Sequence, residues 1–255
     1  MIAVIIQARM SSSRLPHKTL ADVAGEPMLG HVLRRARSIP GVDNVIVATT
    51  HNPIDVAIVR FASENRAPVY LGSENDVLDR FYQTAKHFGV TTIVRVTPDC
   101  PLLDPNASGL VLDCFVRSGG ALDIACNTQP PTYPDGLDTE VFSLNALARA
   151  WRYARMSSER EHVTSYMYNN PSVFHIGNVT NVEDLSHLRW TVDDSRDLEF
   201  IRAIYGCLHN TSYAMDDIMD VLTQHPEMKH INSGIARNVG YMKSLREDMT
   251  IHPRR

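Results

Sequence analysis

The 255-residue chain has no excess of positive charge, no paired-cysteine motif and no long apolar run, and each absence removes a class of function. A formal net charge of −4 supplies no global basic field, so a nucleic-acid polymer is not the expected partner. Cysteines 100, 114, 126 and 207 are scattered without a CxxC pair, which fits reduced thiols better than a disulfide framework or a zinc site. The eleven histidines include no HxH or HExxH spacing, a second argument against zinc. No apolar stretch approaches the roughly 20 residues needed to cross a bilayer. With no secretory leader recognisable either, a cytoplasmic protein without a membrane partner is expected. Glycine is missing where a phosphate-binding backbone loop would need it. Residues Gln7 to Leu20, QARMSSSRLPHKTL, contain none, so neither GxxxxGK[ST] nor GxGxxG fits this loop, which weighs against P-loop hydrolysis and dinucleotide-dependent hydride transfer.

What the chain does have is alternation. MIAVII, VDNVIVATT, APVYLG and TTIVRVT read as buried strands, and PMLGHVLRRARSI, NPIDVAIVRFASEN and NDVLDRFYQTAKHFG between them read as amphipathic helices. Strand–helix alternation with short connections predicts an α/β fold, a doubly wound, mostly parallel sheet whose ligands bind beyond the carboxyl ends of its strands. Past residue 120 the pattern loosens. LDIACN, LDTEVFS, SVFHIGNVT and LRWTVD are expected as strands, and LNALARAWRYARM, SSEREHVTSYMYNN and SRDLEFIRAIYGCL as helices. Without repeats or a linker, the expectation is one domain over 1–255. It comprises a regularly alternating half over about 1–120, a looser half over about 121–206, and a helical tail over 207–255.

The glycine-free loop carries Arg9, Arg14 and Lys18 beside Ser11, Ser12 and Ser13. Three cations so close repel one another unless solvated or sharing an anion, and hydroxyls beside them suit phosphate oxygens. The loop is therefore either a solvated surface segment or a side-chain phosphate grip.

QARMSSSRLPHKTLADVAGEPMLGHV resembles the opening signature of the CMP-sugar-forming cytidylyltransferases, the group containing CMP-KDO and acylneuraminate (CMP-sialic acid) synthetases. GSENDVLDRFYQTAKHFG, IVRVTPDCPLLDP, YPDGLDTEVFS, SEREHVTSYMYNNP and WTVDDSRDLEFIRAIY resemble successive blocks of its spore coat polysaccharide biosynthesis protein F branch, nearly end to end. The resemblance implies a nucleotide-diphospho-sugar transferase-like, Rossmann-like fold with an irregular second half. It implies an Mg²⁺-dependent transfer of CMP from CTP to an acidic or phosphorylated acceptor, with release of pyrophosphate, for a surface glycan. It places Arg9, Ser13 and Lys18 on the triphosphate, with Arg14 in the same motif, and makes Asp99 and Asp193 the metal ligands. Ala8 and the LGSEND turn would surround cytosine, Ser73 and Asp76 being the side-chain candidates. Asp135, Asp138 and Glu140 fall on the acceptor side, where a solvated loop is an equal reading. Arg160 and His162 would serve the acceptor, a dimer contact or only a surface ion-pair ladder. The resemblance also makes about 1–120 the nucleotide-binding half and about 121–206 the acceptor and dimerisation half, homodimers being common in the resembled family.

Chemistry makes the same demand. Nucleotidyl transfer builds charge on phosphate oxygens that cations must neutralise, and Mg²⁺ takes hard oxygen ligands, commonly one or two carboxylates with phosphate and water. Three departures stand out. His17 occupies a position where the signature has glycine, and Pro98 one where the metal block has glycine; Ser11 also replaces a glycine. Two other readings stay open: a glycosyltransferase of related fold, although TPDCP is not a DxD motif, and a CTP-binding protein without catalysis.

Overall fold

The computed structural model describes residues 1–12, 14–208 and 212–251. Strand β1 (Ile2–Gln7) is followed by the cationic loop, a two-stranded hairpin of β2 (Asp22–Val23) and β3 (Glu26–Pro27), and helix α1 (Met28–Arg37). Next come β4 (Asn44–Thr50), α2 (Val56–Glu64), β5 (Val69–Gly72), α3 (Val77–His87), β6 (Thr92–Val96) and α4 (Pro105–Arg117). The second half adds β7 (Ile124–Cys126), β8 (Glu140–Ser143), α5 (Leu144–Tyr153), α6 (Ser157–Glu161), α7 (Ser165–Asn169) and β9 (Ile176–Asn178). Helices α8 (Ser195–Cys207), α9 (Met215–Gln224) and α10 (Val239–Ile251) complete it.

Seven strands form one sheet in the order β5-β4-β1-β6-β8-β7-β9. β5, β4, β1 and β6 pair in parallel, and β8 runs antiparallel to both its neighbours. Period-two alternation gives the sheet two dry faces. Val4 and Ile6 of β1 pack with α1, α2 and α4, while Ala3 and Ile5 pack with α3 and α5. This explains why the strands read as continuous apolar runs. A third apolar cluster, centred on the fully buried Trp190, joins α8 and α9 to the hairpin and to the loops after β6 and β7.

Caps set several boundaries. The Asp76 carboxylate accepts from Asp79 N at 2.8 Å to start α3, and Ser143 Oγ accepts from Ala146 N at 3.0 Å to start α5. Helix α4 has no counterpart in the sequence reading. Its signal was present: Asp104 precedes Pro105 and accepts from Asn106 N at 2.7 Å and Ala107 N at 3.0 Å. Two expectations are corrected. SSEREHVTSYMYNN is not one helix but two five-residue turns of helix, α6 and α7, broken at 162–164, where Thr164 Oγ1 turns inward to donate to Glu140 Oε1 at 2.8 Å. LRWTVD is extended but joins no sheet. Its one ladder contact is an isolated parallel bridge, Asp135 to Arg189, because the segment is held against the 133–137 loop instead. Among the described residues no helix is long and apolar enough to cross a membrane.

Topology aims these elements at one edge. β1 and β6 are adjacent and parallel, Ile6 opposite Val96, so the cationic loop and the Asp99 loop leave the sheet side by side. The reversed β8 begins where β6 ends, with Glu140 opposite Arg95, so the residues before it arrive at that same edge.

The 133–137 loop meets the Trp190 segment almost without clearance. Gly136 has φ +118°, and a Cβ there would lie 2.6 Å from the Trp190 carbonyl carbon and 2.8 Å from Thr191 N. Gly136→Ala should lower stability by about 2 kcal/mol or more, through backbone displacement and an unfavourable φ; urea denaturation followed by tryptophan fluorescence measures it.

Candidate active site

The cationic loop is pinned at several points. Met10 N donates to the buried Asp55 Oδ1 at 2.7 Å, His17 N to Met10 O at 3.1 Å, and Thr19 Oγ1 to Arg9 O at 2.8 Å. His17 adopts φ 63°, ψ 10°, the left-handed conformation that glycine takes without strain. The loop thus keeps a glycine-type path with a histidine in it.

At the centre, Lys18 Nζ donates to Asp99 Oδ2 at 2.8 Å, Asp193 Oδ1 at 2.9 Å and Val192 O at 2.6 Å. Asp99 and Asp193, ninety-four positions apart by their numbers, are joined in space by this ammonium and by Val192 N donating to Asp99 O at 2.8 Å. Arg14 Nη2 also reaches Asp193 Oδ1, at 2.6 Å. Burial alone would lower the Lys18 pKa, but the two carboxylates outweigh it and raise the ammonium above its ordinary value. Burial works in the opposite sense on Asp193, and there Lys18, Arg189 and Arg14 win, holding its carboxyl below the usual range.

Two cavities meet at this point. One, of about 440 Å³, is lined by Ala8, Arg9, Ser12, Arg14, Lys18 and Arg80 together with Asp99 and Asp193. The other, of about 530 Å³, is lined by Asp135, Asp138, Glu140, Arg95, Arg189 and Arg237, again with Arg14, Asp99 and Asp193. His162 lies on both. Its burial depresses the imidazole pKa against the opposing pull of Glu161. In the second cavity the buried Arg189 is a hub. It contacts Asp135 Oδ2 at 2.8 Å, Asp193 Oδ2 at 2.8 Å and Asp197 Oδ1 at 2.9 Å. Arg95 pairs with Glu140, which also accepts from Tyr168 Oη at 2.7 Å.

The structure does not bring every candidate here. Ser13 lies outside the described residues. Ser11 Oγ donates to Glu74 Oε1 at 2.7 Å and lines neither cavity. Ser73 and Asp76 are also elsewhere. Ser73 Oγ accepts from Asp76 N at 3.1 Å, while Asp76 caps α3 and pairs with Arg160. Arg160 is thereby held by Asp76 and by Trp151 O at 2.7 Å, away from both cavities. Near that turn, Val77 and Arg80 line the first cavity. Burial and repulsion from Arg9 lower the Arg80 pKa to about 10, and its Nε has no hydrogen-bond partner among the described residues. Arg95, Arg189 and Arg237 were also missed. For the first two a signal existed, since an arginine interrupting an apolar run, as in TIVRVT and LRWTVD, calls for a buried counter-charge.

The description cytidylyltransferase belongs to the family model that matches residues 3–231. The chain belongs to the cytidylyltransferase family. It is 29% identical to the spore coat polysaccharide biosynthesis protein SpsF of Bacillus subtilis over 234 residues, 89% of this chain and 95% of that one. Over a shorter stretch of 107 residues, 40% of this chain and 41% of the relative, it is 37% identical to the 3-deoxy-manno-octulosonate cytidylyltransferase of Aeromonas salmonicida. A solved cytidylyltransferase from Leptospira borgpetersenii superposes with a TM-score of 0.88 at 31% identity, covering 92% of this chain and 99% of that one. The protein is a CTP-dependent nucleotidyltransferase on the nucleotide-diphospho-sugar transferase-like fold.

Lys18→Ala leaves Asp99 and Asp193 facing each other without their shared cation. Turnover should fall by about 10²-fold or more while circular dichroism stays native. Normal activity in Lys18→Ala, or in Arg9→Ala, would remove that residue from the mechanism.

Proposed function

We propose that this cytidylyltransferase is Mg²⁺-dependent and transfers CMP from CTP to an acidic or phosphorylated acceptor, releasing pyrophosphate, in surface polysaccharide synthesis. The observation that carries the reading is the meeting of the two cavities at Asp99, Asp193 and Lys18. The cationic cavity suits a triphosphate, and the second, mixed in charge and rich in hydroxyl-binding groups, suits a sugar-like acceptor. The names of the SpsF and 3-deoxy-manno-octulosonate relatives support a sugar acid for a surface glycan.

The donor set fits the metal. Asp99 Oδ2, Asp193 Oδ1 and Val192 O already converge on one cation, the Lys18 ammonium. Mg²⁺ commonly takes one or two carboxylates, with phosphate and water in the remaining positions. Asp99 and Asp193 would hold Mg²⁺, which supplies charge neutralisation at the phosphate oxygens. Lys18 and Arg14 would also face the triphosphate, as would Arg9, whose contact with Glu161 is a loose 3.8 Å. These side chains orient the α-phosphorus toward the acceptor cavity and stabilise the departing pyrophosphate. The chemistry rests on positioning and electrostatics. An acceptor oxygen attacks the α-phosphorus; a phosphate or phosphonate needs no base, whereas a hydroxyl loses its proton to a carboxylate or water.

The test is pyrophosphate release with each of four NTPs and acceptors spanning sugar acids, sugar phosphates, polyol phosphates and phosphonates. CTP-selective release with one acceptor, abolished by EDTA and restored by Mg²⁺, is expected. Release with no acceptor and no CTP binding by calorimetry would overturn the reading. We further propose a cytoplasmic homodimer, with light scattering expected to give twice the 28.6 kDa chain mass; a monomer would reject it.

A further inference from the structure

Beyond residue 231, where the family match ends, the chain returns as a strap over both cavities. Its start is fixed by the buried Asn232, whose Nδ2 donates to Arg189 O at 3.0 Å and Asp197 Oδ1 at 3.1 Å. Farther on, Ser244 Oγ donates to Glu161 Oε2 at 2.7 Å, and Asp248 accepts from Ser158 N at 3.3 Å. Between these anchors the strap sends one cation into the acceptor cavity. Arg237 Nη2 donates to Asp138 Oδ1 at 2.5 Å, its Nη1 to Tyr133 O at 3.5 Å, and its Nε lies 3.9 Å from Asp135 Oδ1.

Counter-charges in that cavity are otherwise assigned. Arg189 serves Asp135, Asp193 and Asp197, and Arg95 serves Glu140. Among the described residues, Asp138 has Arg237 as its one cationic partner. The groups facing Asp138 from other elements are unhelpful to its charge: Asp135 and Glu140 repel it, and Cys100, whose own thiol is pushed up by burial, is neutral.

We infer that Arg237 is a positioning residue for the acceptor, keeping Asp138 ionised and aimed so that its carboxylate accepts hydrogen bonds from the acceptor's hydroxyl or ammonium groups. The inference rests on the cytidylyltransfer reading above and adds to it a specificity element outside the matched family region. A charged acceptor oxygen binds a hydroxyl or ammonium more strongly than a neutral carboxyl does, and a protonated Asp138 would present a donor of its own. Although its side chain remains 35% exposed, desolvation in the cavity pushes the Asp138 carboxyl up to about 6 against the pull of Arg237. Acid therefore removes the interaction as pH falls through that value. Without Arg237 the loss moves toward neutrality.

The experiment compares wild type, Arg237→Ala and Arg237→Lys with the acceptor found in the pyrophosphate assay. Expected for wild type is an acceptor kcat/KM that declines as pH falls through about 6. In Arg237→Ala the decline should move up by about one pH unit or more and the acceptor KM at pH 7 should rise about tenfold, with the CTP KM little changed. Arg237→Lys, retaining the charge, should recover much of the difference. An arm independent of the acceptor is ¹³C carboxyl NMR of aspartate-labelled full chain, the Asp138 signal being identified by its loss in Asp138→Asn. Its titration should move up in Arg237→Ala. An unmoved titration, or an unaltered acceptor KM and pH profile in Arg237→Ala, overturns this inference and leaves cytidylyl transfer standing. A wild type that binds no CTP and releases no pyrophosphate overturns both.

Discussion

Asp193 is the carboxylate on which the two cavities depend, because it is held by cations on both sides. Its Oδ1 takes Lys18 and Arg14 from the loop after β1, and its Oδ2 takes Arg189. Arg189 in turn is tied to Asp197, a fully buried residue that also accepts from Asp193 N at 2.8 Å and starts α8. A single buried carboxylate thus fixes a helix start, an arginine and the backbone of a proposed metal ligand. Breaking such a chain leaves a buried charge unpaired, typically about 3–5 kcal/mol, so fold and site are one construction here.

The other constraint is the reversed strand. Had β8 continued the parallel pattern, the residues before it would leave the sheet at the edge opposite Asp99. Running antiparallel against β6, it instead delivers Asp135, Asp138 and Glu140 to the edge where the cationic loop stands. One change of direction turns a nucleotide-binding sheet into one with a second cavity beside the first. The strap then roofs both, with Val239 and Gly240 lining each.

Much of the first half was legible because its signals are local. Two-sided burial makes a strand such as IAVII continuously apolar, and the 3.6-residue period marks α1 and α3. The density of charge in the first loop was equally readable, since three cations in so short a span need an anion or solvent. The second half resisted because its elements are short and held by side chains. Thr164 turning to Glu140 breaks a helix that periodicity would continue, and the Trp190 segment stays extended by docking on a glycine loop without joining the sheet.

By itself the sequence determined the α/β class and the identity of the charged groups, because these depend on residue types at short spacing, and its resemblance along nearly the whole chain pointed to the family. It left Asp76 and Arg160 as ligand candidates, and only the tertiary structure showed that they satisfy each other at a helix start. It gave no sign that Arg237 reaches Asp138, ninety-nine residues away along the chain. Partnership between distant charges is decided by where strands reverse and loops return, which is long-range geometry that no local pattern encodes.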